Sequence, residues 1–446
     1  MGSFGLSSVS ASSASGIDVV AFVEQVLYAE RAPVRLLQTQ QTQFNSQASA
    51  LRDLTTKLLD LQTKVNALND VSGSFNAKSA TSSDPTVLTA TATATAIAAT
   101  HTVVVSALAT TSSYYTDQLA DGSTQFATGT FNIQVATGAP LTITVDDTNN
   151  TLDELATHIN GLDMGVEASV ITDANGARLA LVSETSGAPG DLTVSGNTTG
   201  LAFTKAVAGT NASLTVDGVP IASASNTVTG VISGVTLSLV SAQVGTPVTV
   251  KIDPDTAEAR AAIDDFVASY NALITALNEQ FTYNPTTKKA GALSTDSSVR
   301  RLQQQLLEDI NYSITDNNGF VNLATIGVHL ANDGTLTVDS TELDNALGSH
   351  FGEVQNLLQS LAPAGFARNF STDLQALAAS VDGPLNLSLS GVNRTLDSLA
   401  DQIRDFEVRL ELRREVLTEQ FSRIDALLRQ LPALLSQIST QLGSLR

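Results

Sequence analysis

The stretch LDSLADQIRDFEVRLELRREVLTEQFSRIDALLRQLPALLSQISTQLGSL (396–445) decides the reading of this chain. Leu396, Ile403, Leu410, Leu417, Ile424, Leu431, Ile438 and Leu445 recur every seven residues without a break. That repeat is the signature of a helix with an apolar seam. A companion column holds Leu399, Phe406, Leu427 and Leu434, interrupted by Arg413, Gln420 and Gln441. Toward the end Phe421, Leu428, Leu435 and Leu442 add a third column, which predicts burial on two sides. Fifty helical residues would span about 75 Å. Pro432 removes one backbone donor and crowds the preceding turn, so the expectation is a kink or break near Leu428.

Burying one Leu or Ile is worth about 1.5–3 kcal/mol, so eight on one stripe represent on the order of 10–20 kcal/mol, an upper bound. A solvated lone helix forgoes that. The stripe therefore meets another helix of the same chain, of a neighbouring copy, or both.

The other end of the chain answers it. Ile17, Val20, Val23, Val26 and Leu27 begin a helical pattern that stops before Pro33, and Pro33 can open a second helix. The second helix repeats Leu37, Phe44, Leu51, Leu58 and Val65 in one register and Leu54, Leu61 and Leu68 in the other. Gln40 and Gln47 weaken its first half, and an end is expected between Asn69 and Gly73. Residues 1–15, small and polar, are expected to be disordered in isolation.

Between about Ser74 and Ile252 the periodicity drops to two, as in TVLTATATATAIAATHTVVVSAL (86–108) and GTFNIQV (129–135), which reads as antiparallel strands. A βαββ unit is expected from Leu141–Val145, a helix opened by a Thr151–Glu154 capping box, and strands at Val166–Ile171 and Arg178–Val182 joined by a turn at Asp173–Gly176. Gly161 is expected to end the helix in the left-handed conformation. Helix returns at Asp255, with Glu258 as a second box. An apolar stripe then runs through Ile263, Phe266, Val267, Tyr270, Leu273, Ile274, Leu277 and Phe281. Further helices are expected at 295–311, 341–360 and 364–380, with a small hairpin turning at Asn332-Asp333-Gly334.

Composition narrows the chemistry. The 446 residues carry 44 Asp and Glu against 23 Lys and Arg, a net charge of −21. Such a chain repels phosphate backbones and anionic membrane surfaces, so nucleic acid is not an expected partner. No apolar run reaches about 18 residues, and no membrane insertion is expected. The beginning of the chain lacks the features of a cleaved secretory signal. With no cysteine, disulfides, thiolate metal sites and cysteine nucleophiles are excluded. The four histidines, His101, His158, His329 and His350, lie far apart in sequence. GxxxxGK[ST], HExxH and GxSxG motifs and an EF-hand series are all missing. The carboxylate pairs Asp264-Asp265 and Asp153-Glu154 read as a solvated face and a helix start. No catalytic residue, metal ligand or cofactor is expected.

SGIDVVAFVEQVLYAERAP (15–33) with the Gln-rich heptad helix resembles the N-terminal region of flagellar filament cap proteins, the hook-associated proteins of the filament tip. GVTLSLVSAQVGTPVTVKIDPDTAEARAAIDDFVASYNALI (234–274), LATIGVHLANDGTLTVDSTELDNAL (323–347) and LRREVLTEQFSRIDALL (412–428) resemble their C-terminal region. NNTLDELATHINGLDMGVEASVITDANGARLALVSETSGAPGDL (149–192) is similar to a βαββ repeat of flagellins and their relatives.

The resemblance implies an α+β multidomain, nested fold. Its expected parts are a terminal helical leg (1–45 and 400–446), a helical domain with a small hairpin (46–73 and 253–399), an inner β head (74–128 and 205–252) and an outer head with the βαββ motif (129–204). It implies type III export and a place at the distal end of the filament. The implied partners are further copies in a ring-like homo-oligomer, flagellin, an export chaperone and hook–filament junction proteins. The residues expected to carry oligomer and filament contact are Ile17, Val20, Val23, Leu27, Leu37, Phe44, Leu51, Leu410, Leu417, Phe421, Ile424, Leu427, Leu428, Leu431, Leu434 and Ile438. The alternatives are an adhesin binding glycans through its hydroxyl-rich β head, and another axial junction protein.

Overall fold

The computed structural model describes residues 18–285, 289–361 and 364–443. The chain opens with helices α1 (Val19–Glu30) and α2 (Ala32–Asn69). The Asp18 carboxylate caps α1 by accepting the Ala21 N–H at 2.9 Å, and Pro33 sits in the first turn of α2, where a donor is not needed. Then come β1 (Lys78–Ser82), β2 (Leu88–Ala92), β3 (Ala99–Ala107), β4 (Thr111–Thr116), β5 (Gly129–Val135), β6 (Leu141–Val145), α3 (Leu152–Asn160), β7 (Val166–Asp173), β8 (Gly176–Ser186), β9 (Leu192–Ser195) and β10 (Phe203–Val207). The β region closes with β11 (Ala212–Val216), β12 (Val219–Ser223), β13 (Thr227–Thr229), β14 (Val235–Leu239) and β15 (Val248–Pro254). Helix α4 (Thr256–Phe281) leads to short strands β16 (Tyr283–Asn284) and β17 (Lys289–Ala290), α5 (Ser297–Ile310), the hairpin β18 (Val328–Leu330) and β19 (Leu336–Val338), α6 (Ser340–Ser349), α7 (Phe351–Gln359), α8 (Phe366–Leu377) and α9 (Pro384–Gly443). This is the expected α+β order of helices around an inserted β region.

The chain divides into two compact units. The β unit takes in Ala67–Ile263 with Asp344–Gln355. One part of it is a five-stranded antiparallel sheet, β1-β15-β3-β11-β12, and a three-stranded one, β13-β14-β2, around Val87, Leu88, Val103, Val105, Leu214, Leu237, Val250 and Ile252. The other part pairs β10-β4-β8-β7 and β6-β5-β9, with α3 packed over β7. Its core holds Phe131, Ile133, Ile143, Leu152, Leu155, Ile159, Leu179 and Leu181. Strand β4, within the segment 74–128, pairs with β8 and so lies in this second part. The βαββ unit spans two sheets, because β6 pairs with β5 while β7 pairs with β8.

Local caps differ in detail from the sequence reading. The Glu154 N–H reaches Thr151 Oγ1, but the Glu154 carboxylate takes the Thr151 hydroxyl instead of the backbone N–H of Thr151. Gly161 keeps right-handed angles, φ −71°; the left-handed turn comes later, at Asp163 and Gly165. The reason is a clamp: the Asn160 side chain donates to the Ala168 carbonyl and accepts its N–H, which fixes the helix end against β7. The Asp255 carboxylate caps α4, while Glu258 accepts from Ser74. The helix expected over 341–360 is two helices, divided at His350 between Gly348 and Gly352, both poor helix formers.

The helical unit takes in Asp264–Leu343 together with the chain up to Asn66 and from Asn356 onward. Leu51, Leu54, Leu58 and Leu61 of α2, Phe266, Tyr270, Leu273 and Leu277 of α4, Leu302 and Leu306 of α5, and Phe366 and Phe370 of α8 are fully buried. Phe266 meets Phe366 edge-on at 5.6 Å. The β18–β19 hairpin is pinned to α4 by Asn271, which donates to the Leu336 carbonyl and accepts its N–H.

Candidate assembly surface

Helix α9 runs 60 residues without interruption and contains Pro432. The break expected there does not occur. A single proline removes one donor and leaves the Leu428 carbonyl without its helical partner; the helix is exposed from Leu431 to Ser439, so water can satisfy that carbonyl.

The middle of α9, from Ile403 to Phe421, is clasped by α1. Val23, Leu27, Val34, Leu410 and Leu417 form one buried cluster, flanked by Val19, Val26, Ile403, Phe406 and Phe421. Phe22 and Phe421 meet edge to face at 4.7 Å. Polar pairs set the register: Arg31 lies 3.6 Å from Glu407, and Arg413 lies 3.4 Å from Glu30. These pairs are half-exposed, so each is worth about 1 kcal/mol or less, and they align the seam more than they hold it.

Beyond Phe421 the seam has no cover among the described residues. Leu417 is 5% exposed, whereas Ile424 is 43% and Leu427 64% exposed. Leu428, Leu431, Leu434, Leu435 and Ile438 are exposed as well. The side chains of 440–443 are not described. Complete burial of seven such side chains corresponds to about 1.5–3 kcal/mol each, and about half of that remains to be gained here, on the order of 5–10 kcal/mol. That suffices for association only if it exceeds the loss of rigid-body freedom, of similar size.

The sixteen anticipated contact residues thus separate. Val23, Leu27, Leu410 and Leu417 come together and face the chain's own helices, so their apolar surface is already covered. Leu51 is buried in the helical unit. Leu37, Phe44 and Phe421 are half-buried, and Val20 is exposed. Ile424, Leu427, Leu428, Leu431, Leu434 and Ile438 form the open stripe. Ile17 and the segment 1–15 lie outside the described residues. Val408, Leu412 and Val416, exposed at four-residue spacing on α9, escaped the seven-residue count. That i, i+4 spacing was the signal that could have found them.

Other chemistry is sparse. Among the described residues no group of three or more His, Asp or Glu could hold a metal ion, and no helix is long and apolar enough to cross a membrane. His101 Nδ1 lies 2.7 Å from Asp217, and His329 Nε2 lies 3.0 Å from Glu342. The Asp217 carboxyl is held below its usual range, first by the Thr102 N–H and then by His101. The pair ties the β11–β12 turn to β3.

Comparison with known proteins gives a consistent result. The family model for the flagellar hook-associated protein 2 N-terminus matches residues 15–112, and that for its C-terminus matches 209–433. The chain is 32% identical to the B-type flagellar hook-associated protein 2 of Pseudomonas aeruginosa, over 93% of each chain. It is 29% identical to flagellar hook-associated protein 2 of Escherichia coli K12, over 96% of each. The crystal structure of the D1-D2-D3 domains of the Escherichia coli flagellar cap protein superposes with a TM-score of 0.58 at 29% identity, covering 77% of this chain and 99% of that one.

Proposed function

The chain belongs to the flagellar hook-associated protein 2 family, and from that premise we propose that the bare stripe on α9 seats it on the flagellar filament and against neighbouring copies. The protein is a structural cap of the filament's distal end, a component exported to the tip and assisting the insertion of flagellin. The adhesin reading draws no support from the relatives.

The observation that carries the proposal is the change along one helix. A continuous seven-residue seam passes from covered at Leu417 to open at Ile424 within two turns. The covered portion holds α1 in place; the open portion is left for other chains. We infer that flagellin and further copies in a ring-like assembly share this surface. Contact with an export chaperone before secretion, and with hook–filament junction proteins early in assembly, would draw on the same ends. Incomplete seams, broken by Gln420 and by Gln40 and Gln47 on α2, keep such contacts reversible, which a cap that moves as each flagellin enters requires.

The test is the triple variant Ile424→Asp, Leu431→Asp, Ile438→Asp in cells lacking the wild-type chain. Its purified form should keep its helix content and melting temperature, since the three side chains are already exposed. Filaments should be absent or short, with flagellin in the medium. Filaments of normal length from this variant would remove the stripe from the mechanism.

A further inference from the structure

Strand β7 pairs with β8 on one side only and forms an outer edge of the sheet β10-β4-β8-β7. At eight residues it is the longest edge strand of the β unit. A row of unpaired backbone groups of that length is a template for another extended chain. The Asn160 side chain occupies one place in the row. Its Nδ2 donates to the Ala168 carbonyl at 2.8 Å and its Oδ1 accepts the Ala168 N–H at 2.7 Å. Those are the two bonds that an added antiparallel strand would make with Ala168. Both backbone groups of Ala168 therefore point away from β8. By the alternation of the ladder, those of Val166, Val170 and Thr172 do the same. The face of β7 away from the core presents Glu167, Ser169 and Ile171, and Ile171 is 60% exposed.

We propose that Asn160 plugs this edge, and that without the plug a second copy of the chain adds its own β7 in antiparallel, through a surface unrelated to the α9 stripe. The side chains choose the register. Two-fold pairing about Val170 sets Glu167 opposite Asp173, like charges that repel. Two-fold pairing about Ser169 instead sets Glu167 opposite Ile171. It also lets all four outward residues pair, Val166 with Thr172 and Ala168 with Val170, once in each direction. Both central pairs then contain an Ala168, one from each copy, so one side-chain amide per chain removes the middle of the interface. The β11–β12 hairpin closes its edge by other means: edge strand β12 carries Pro220, which has no donor to offer.

The chain has no cysteine, so a single introduced one reports this pairing alone. In the proposed register Ser169 meets Ser169 of the second copy with Cα atoms about 4.5 Å apart, within disulfide reach. Glu167 lies about 14 Å from its own counterpart, so Glu167→Cys controls for chance collisions. Full-length Ser169→Cys and Glu167→Cys, each with and without Asn160→Ala, are oxidised with diamide at equal concentration, and the disulfide-linked dimer is measured on non-reducing gels. Asn160→Ala should raise the Ser169→Cys dimer by about tenfold, since each chain regains a backbone donor and acceptor at its edge, and leave the Glu167→Cys yield unchanged. An unchanged Ser169→Cys yield, or an equal rise in both, overturns the proposal and leaves Asn160 as an anchor of the α3 end, whatever happens to the melting temperature. If Asn160→Ala fails to fold, Asn160→Asp serves. It still accepts the Ala168 N–H but no longer donates to the carbonyl, so the Ser169→Cys dimer should rise by a smaller factor; no rise also overturns the proposal.

Discussion

Gly176 ends the two-residue turn between β7 and β8 with φ +141°, and a Cβ there would lie 2.0 Å from the Leu119 carbonyl oxygen. Leu119 and Ala177 exchange backbone hydrogen bonds at 2.9 Å, so that oxygen has nowhere to go. Gly176→Ala should therefore destabilise the β4–β8 part of the β unit by about 1–3 kcal/mol, the cost of a strained backbone position; urea unfolding followed by Tyr114 and Tyr115 fluorescence measures it, and an unchanged midpoint refutes it. The turn itself was legible from Asp173-Ala-Asn-Gly176. The crowding was not, because it comes from a bridge to residues far upstream. Asp309 has the same history. In SSVRRLQQQLLEDI a terminal Asp reads as one more solvated carboxylate, and only folding buries it, to 4% exposure. Burial pushes its carboxyl up to about 6, so the stability it contributes is lost as pH rises through that value.

At the scale of elements, periodicity carried the helices well, since an apolar stripe at heptad spacing has few alternatives. Leu51 to Leu68 on α2 and the α4 stripe from Ile263 to Leu277 are buried where the spacing put them, while Phe281 at the end of that stripe is half-buried. What spacing does not encode is the length of the partner. Helix α1 has 12 residues, about 18 Å, and α9 has 60, about 90 Å, so α1 covers only one stretch of the long seam. The proline was over-read for a related reason: an interior proline costs about 3 kcal/mol of helix propensity, but a long helix anchored at its other end absorbs it. Pro432→Ala should restore one hydrogen bond and firm up the last turns. Trypsin cleavage after Arg429 should then slow several-fold in the free protein; equal rates would show that the proline does not weaken this segment.

At the scale of the molecule, the order of the chain separates two tasks. The β unit has its own apolar cores, built from residues within 67–263, and needs nothing from α9 to keep them. The helical unit carries both the clasp and the open stripe. Removing residues 412–446 should therefore leave β-unit unfolding unchanged, because none of its buried residues is touched. The same deletion takes Leu417 and Phe421 from the clasp and uncovers Val23 and Leu27 on α1. The truncated protein should lose helical signal beyond the deleted residues, as α1 loses the Leu417 and Phe421 part of its apolar cover, and fail to support filament growth. Calorimetry and filament counts together decide the matter. If the β-unit transition shifts by several degrees, the two units are not independent. If α1 remains helical, the clasp is not what holds it. If filaments grow to normal length, neither clasp nor stripe is how this chain holds the tip.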